Sequence, residues 1–420
     1  MIQGLLIALM ALLGVPLFVI IGWIALLAFT SAEIDTAALI IELYRMASQP
    51  VLVAIPLFTV AGFLLAESGS PARIIRLSRA ALSWLPGGLA VVSLIACAVF
   101  TAFTGASGVT IIAMGGLLFP ILIKEGYPER FTLGLMTTSG SLGLLFPPSL
   151  PIILYGLVSG VSIDGLFRAG LLPGLLMLLI LGGWAIHVSR GANIPRPAFR
   201  LSELLAALRE AIWELPLPFL VLWLIYGGIV TPAEAAAVTA CYVLLVEVLV
   251  YRDIPVRKLP GIVGESMTLV GAVLLILGVA LGFTNYLVDA EVPQSLLAWM
   301  QGWITSPVMF LMVLNVFLLL VGCLMDIFSA IIVVVPLILP VAESYGVDPL
   351  HLGVIFLANL EIGYMTPPVG LNLFIASFRF KRPVLELYRA SFVYLLLLLV
   401  ALMIITWVPW LSLWLGYWGA

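Results

Sequence analysis

Two carboxylates, Asp326 in CLMDIFSA and Glu361 in NLEIGYMTPP, lie inside apolar runs. Glycine and hydroxyl residues cluster at Thr104, Gly105, Ser107 and Thr110, and again at Ser139, Gly140, Ser141 and Gly143. A carboxylate at mid-bilayer depth costs about 2.5–3.5 kcal/mol on insertion scales, which makes each a functional candidate. Glycines let backbone carbonyls come close, and together with hydroxyls they supply the all-oxygen surroundings a hard cation takes. Small residues also serve close helix packing in membranes, and an Asp suits a helix N-terminus as well as it suits an ion. The second cluster and Glu361 each run into adjacent prolines, Pro147-Pro148 in GLLFPPSLPIILYG and Pro367-Pro368 in GYMTPPVGLNLFIA. Such a pair kinks a helix for packing in the plainer case. At membrane depth it frees backbone groups that only protein or a water-filled cavity can cover.

The elements that must position these residues are membrane helices. Of 420 residues 63% are hydrophobic and 9% charged, against about a quarter charged in soluble domains. Apolar stretches near the roughly 20 residues needed to span recur throughout, so the chain reads as an all-α polytopic membrane protein. MIQGLLIALMALLGVPLFVIIGWIALL has no basic leader and no small-residue cleavage site, and is expected to be a first spanning helix rather than a signal peptide. Cys97, Cys241 and Cys323 lie far apart in apolar segments and are expected to pack. The net charge is −3, but sixteen of the eighteen Lys and Arg fall into five clusters: 73–79, 124–130, 190–209, 252–258 and 379–389. Arg45 and Arg168 stand elsewhere. Excess Lys and Arg mark cytoplasmic loops, which places the acidic connections outside.

Counting crossings between basic loops, 3–29 and 50–67 go out and back. Residues 85–123 then have basic flanks on both sides, so this stretch must be a re-entrant helical hairpin with TAFTGASGVT at its tip. Segments 130–155, 166–189, 215–230, 232–251 and 261–285 cross in turn. Residues 307–342, flanked by Glu291, Glu343 and Asp348, form a second hairpin entering from outside. Residues 351–378 return, and 390–418 leave the C-terminus outside. An ungapped offset of 220 superposes Pro367 on Pro147, Gly363 on Gly143, Gly346 on Gly126, Pro340 on Pro120 and Ile331-Ile332 on Ile111-Ile112. Sequence repetition with opposite orientation marks an inverted-topology repeat, the architecture of secondary transporters, whose sites lie at interrupted helices near the midplane. The expected division is 1–84 and 215–285 as scaffold, 85–189 and 286–378 as the two transport halves, 190–214 as an amphipathic connector, and 379–420 as a C-terminal spanning helix. In the connector, Leu201, Leu204, Leu205, Leu208 and Ile212 share a helical face.

Glu234 reads as intramembrane or close to it, and Glu247, near a basic loop, as a snorkelling side chain. His187 and His351 are expected at the interface. No Lys or Arg is expected within a spanning core, so an anionic ligand would be held by backbone dipoles, hydroxyls and bound cations. The chain carries no Walker A sequence and no nucleic-acid surface pattern. A membrane-embedded enzyme would need clustered carboxylates or a His/Ser pair at one interface, and neither is apparent.

GASGVTIIAMGGLLFPILIKEGYPERFTLGLMTTSGSLGLLFPPSLPIILYG, GIVTPAEAAAV, CLMDIFSAIIVVVPLILP and NLEIGYMTPPVGLNLFIAS, in this order, resemble the large membrane subunit of tripartite ATP-independent periplasmic transporters over nearly the whole chain. The resemblance implies an elevator-type transporter in the bacterial inner membrane, where the count of crossings puts the N-terminus in the cytoplasm and the C-terminus in the periplasm. It implies Na+ as coupling ion, an organic acid as substrate, and as partners a small membrane subunit and a periplasmic substrate-binding protein. Carried onto this chain, Thr104, Gly105, Ser107, Gly140, Ser141 and Gly143 make one Na+ site; Asp326, Ser329, Gly363 and Thr366 make another. The substrate lies between the tips, with Ser107, Thr110, Asp326, Pro147 and Pro367 as candidate contacts. Family members often carry a Gly-Ser-Ser-type tip where this chain has Gly105-Ala106-Ser107, so ligation at 106 falls to the backbone. A stand-alone elevator-type Na+/organic anion symporter is the competing reading.

Overall fold

The computed structural model describes residues 6, 7, 9, 10, 13, 15–82, 84, 85, 87–191, 199–227 and 229–417, with the backbone alone at 17, 38, 42, 47, 51, 285, 288 and 293. The start of the first expected span lies largely outside the described residues. Its remainder is α1 (Leu17–Ser31), followed by α2 (Ala37–Ala47), α3 (Ala54–Glu67) and α4 (Ser70–Leu82). The first half then runs through α5 (Gly88–Thr104), α6 (Ser107–Lys124), α7 (Glu129–Ser139), a 3-10 turn at Leu142–Leu145, α8 (Leu150–Ser159) and α9 (Ile163–Gly191). The connector is α10 (Leu201–Glu210). Next come α11 (Pro216–Tyr226), α12 (Pro232–Leu244) with a π turn at Leu245–Val250, α13 (Leu259–Asp289) and α14 (Val292–Gln301). The second half holds α15 (Pro307–Leu324), α16 (Ile327–Ser344), α17 (Pro349–Gly363), α18 (Leu371–Phe380), α19 (Val384–Trp407) and α20 (Trp410–Gly416).

By length and composition, seven helices among the described residues can cross a membrane, or eight if the bent pair around Pro147-Pro148 is one span. Side chains such as Phe219, Trp223, Val316, Leu320 and Phe378 are exposed, an apolar surface far beyond what a soluble monomer shows and suited to lipid. The offset of 220 recurs in the element bounds: Ser107–Lys124 maps onto Ile327–Ser344, and Glu129, opening α7, maps onto Pro349, opening α17. Gly126 and Gly346 both take positive φ, 90° and 77°, to turn the chain after α6 and α16, a conformation glycine adopts without steric cost. Helix starts follow local rules. Asp348 accepts from the backbone N–H groups of Leu350 and His351, and Thr231 and Glu234 form a reciprocal capping box.

Several sequence expectations change. The C-terminal segment is two helices, because Pro409 cannot extend α19 and pushes Val408 out of helical geometry (φ −120°, ψ 74°). α20 then folds back onto α9. His351 is buried rather than interfacial, with its ring nitrogens 3.2 Å from Ser412 Oγ and 3.3 Å from Thr406 O. It ends a polar chain in which Asn359 donates to Asn315 Oδ1 (2.7 Å) and Asn315 to Thr406 Oγ1 (3.1 Å). Arg168 lies inside α9, paired with Asp164 at 2.8 Å, so one long span does contain a cation. Glu234 is exposed as a helix cap, and Cys241 is exposed while Cys97 and Cys323 pack. Glu247 does not snorkel: it is fully buried and turns onto Arg73 of α4 at 2.9 Å.

Candidate functional site

At the first tip, α5 ends on Gly105 (φ 65°) and α6 begins at Ser107. A Cβ on Gly105 would stand 2.6 Å from Leu150 Cβ, the first residue of α8, so the tip closes against the far side of its own half's break. Thr101 Oγ1 lies 2.7 Å from Thr110 Oγ1, 2.8 Å from Cys97 O and 2.9 Å from Gly140 O. This gathers two hydroxyls and carbonyls from α5, α6 and the end of α7. Gly140 sits against Ile111 and near Ser107 O. Gly143 presses on α5, where a Cβ would meet Ala98 O at 2.2 Å. Thr104, Thr110, Ser139 and Ser141 are buried around them.

The second tip repeats the arrangement with different chemistry. Gly363 abuts Gly322 of α15, where a Cβ would come within 2.6 Å of backbone, as Gly143 does on α5. Gly370 donates its N–H to Cys323 O (3.2 Å), and the Tyr364 hydroxyl accepts from Ile327 N–H (2.6 Å). Asp326 is the N-cap of α16: its Oδ1 accepts from Phe328 and Ser329 N–H at 3.0 Å, and the Ser329 hydroxyl donates to its Oδ2. Thr366 donates to Ile362 O (3.0 Å). The carboxylate therefore anchors the tip, whereas its repeat counterpart Ala106 caps nothing.

Both tips open on one cavity of about 490 Å³. Gly105, Ala106 and Ser107 face it from the first tip, Asp326 and Phe328 from the second, and Phe63 of α3 with Leu269 and Val273 of α13 close it. Among the described residues, Asp326 is the one charged residue of this wall. Thr110, Pro147 and Pro367 are not on it: Thr110 is turned to Thr101, Pro147 is half-buried and Pro367 exposed. Ser107 donates to Oδ1 of Asn372 in α18 (2.7 Å), joining the first tip to the second half. Sequence reasoning missed Thr101, although it opens the quoted tip stretch. It also missed Asn372, which the repeat register pairs with Ile152 and so does not flag, and the apolar wall from α3 and α13. Glu361 is fully buried, with neither carboxylate oxygen bonded among the described residues.

An all-helical membrane fold with two proline-broken helices and paired tips over a shared cavity is a transporter's architecture. It matches the crystal structure of the Alcanivorax borkumensis YdaH transporter with a TM-score of 0.65 over 99% of each chain, at 17% identity, a likeness of fold. The family is set by sequence: the profile of the tripartite ATP-independent periplasmic transporter DctM component matches residues 4–411, and the chain belongs to that family. Several relatives carry the description C4-dicarboxylate TRAP transporter large permease protein DctM, among them one from Pseudomonas aeruginosa and one from Rhodobacter capsulatus. The one from Pseudomonas aeruginosa is 39% identical over 82% of this chain and 81% of its own length. The one from Rhodobacter capsulatus is 36% identical over 98% and 97%. The protein is thus a multi-pass large permease component of a TRAP transporter.

Proposed function

We propose that this permease imports an organic acid of the C4-dicarboxylate class across the bacterial inner membrane. Import is coupled to Na+, and a periplasmic binding protein delivers the acid to a membrane complex with a small subunit. The observation that carries the reading is that tips from two repeat halves share one cavity whose single charge is negative. Two hairpins entering from opposite faces share a cavity only if both turn back part-way through the bilayer, which supports re-entrant hairpins over full spans. A dicarboxylate beside Asp326 needs compensating cations, since like charges in low dielectric repel strongly. Oxygen groups at both tips suit Na+, with Thr104, Gly105, Ser107, Gly140, Ser141 and Gly143 around one ion and Asp326, Ser329, Gly363 and Thr366 around the other. Movement of the two halves against α3 and α13 as an elevator would then carry the cavity between faces.

Reconstitution tests this. Proteoliposomes with the chain, the small subunit and the loaded binding protein should take up dicarboxylate under an inward Na+ gradient, and the chain alone should not. Equal uptake by the chain alone favours the stand-alone symporter, and uptake indifferent to Na+ removes the coupling.

A further inference from the structure

The shared cavity extends toward the face that carries the basic clusters. Its wall takes in Ile112, more than a turn below the first tip in α6, and Leu371 and Ile375 of α18. Among the described residues the second hairpin contributes only 326–328 to it. Both helices run on past this wall to basic ends, α6 to Lys124 and α18 to Arg379. Arg379 is one turn beyond Ile375 on the same side of α18, and its Nε donates to Ile112 O at 2.8 Å. The guanidinium thus bridges the two wall helices at the inner mouth of the cavity.

The seat for it is built into α6. Gly116 leaves the room, since a Cβ there would overlap Arg379 Nη2, and Gly115 admits the ring of Phe380 beside it. One of the five N–H donors of the guanidinium is spent on Ile112 O, and no acid pairs with it among the described residues: Glu129 is taken by Arg382 and Glu125 by Arg79. Arg379 is exposed, so the fork is open to a ligand. The repeat does not reproduce this seat. At the offset of 220, Ser159 stands for Arg379 and Pro336 for Gly116, and the Ser159 hydroxyl turns back to donate to Tyr155 O (2.7 Å). The cation belongs to one half alone, below a wall to which Asp326 gives negative charge.

We propose that Arg379 is an exit subsite, which binds a carboxylate of the organic acid as it leaves the cavity; this rests on the reading that the permease delivers such an acid to the cytoplasm. A guanidinium fork matches a carboxylate with two parallel charge-assisted hydrogen bonds. An acid released from beside Asp326 along the α6–α18 wall reaches this cation at the mouth, and exposure to water keeps the pair weak enough to let it go.

The test uses the wild-type transporter complex purified in detergent, with succinate as probe and phenylglyoxal, an arginine-directed reagent, as reporter, the modified residues being mapped by peptide mass spectrometry. Succinate with Na+ should slow modification of Arg379 at least about threefold, the scale of an exposed ion pair, and leave unchanged that of Arg209, which is exposed on α10 and lies off the cavity wall. Uncharged succinamide should protect neither. Unslowed modification overturns the proposal, as does slowing by phosphatidylglycerol with no further effect of succinate, which would make a lipid phosphate the partner. Na+-driven uptake of succinate is measured alongside. Uptake without protection removes the subsite alone, whereas protection without uptake supports an anion site at Arg379 and removes the import reading. Arg379→Gln, reconstituted with the binding protein outside, should raise by about threefold the internal succinate concentration that half-inhibits uptake, with external half-saturation unchanged. A shift of both together would leave Arg379 holding α6 against α18 and nothing more, and would overturn the proposal.

Discussion

Ser107 and Asn372, 265 residues apart, meet in a buried 2.7 Å hydrogen bond between the first tip and the helix after the second break. The two halves are therefore joined at the cavity itself, through the first tip.

Ser107→Ala should leave the Asn372 oxygen buried and unpaired, a loss of about 1–3 kcal/mol. A double-mutant cycle with Asn372→Ala, read by thermal melting, should give a coupling of at least about 0.5 kcal/mol. Independent, additive effects would show that the bond does not hold the halves together.

Gly143→Ala and Gly363→Ala drive a methyl into backbone, at 2.2 Å from Ala98 O and 2.6 Å from Gly322 Cα. No flexible side chain can give way, so each should destabilise by about 1–3 kcal/mol. Gly261→Ala, in α13 with open space around it, should be neutral or gain up to about 1 kcal/mol. Folded yield after detergent extraction separates the two outcomes.

The repeat was legible because its register is carried by residues with fixed backbone roles: positive-φ glycines at 126 and 346, prolines inside α6 and α16, and Pro-Pro at both breaks. What failed to show was what depends on partners distant in sequence. Glu247 looks like a snorkelling residue from its neighbours, yet Arg73 lies 174 positions earlier. His351 looks interfacial near a helix start, until α20 folds back to cover it with Ser412. Asn372 has an apolar repeat counterpart, so periodicity hides it. Asp326 was equally open to capping and to ligation, and the geometry establishes the cap while leaving its charge facing the cavity.

Asp326→Asn keeps an acceptor for the Phe328 and Ser329 N–H groups and removes the charge. It should assemble normally and need at least tenfold more Na+ for half-maximal uptake, equivalent to about 1.4 kcal/mol. Asp326→Ala should also lose about 1 kcal/mol of cap stability. Uptake against Na+ concentration decides, and an unchanged curve in the Asn variant leaves Asp326 a cap alone.

Orientation is testable by labelling. With Cys241, exposed in the native chain, replaced by Ser, cysteines at Arg76 and Leu385 should react only from the cytoplasm and one at Ala290 only from outside. Outside labelling at 385 would contradict the inverted arrangement.

The central claim is that substrate and Na+ meet between the two tips. Ala106 lines the cavity and makes no cap bond, so Ala106→Cys in a cysteine-free background should report on that space with little cost to the fold. The decisive measurement is its rate of modification by a small hydrophilic thiol reagent in the reconstituted transporter, using the organic acid that this transporter is seen to take up. The account predicts protection when acid and Na+ are present together and much less with either alone; an unchanged rate with both present would contradict it.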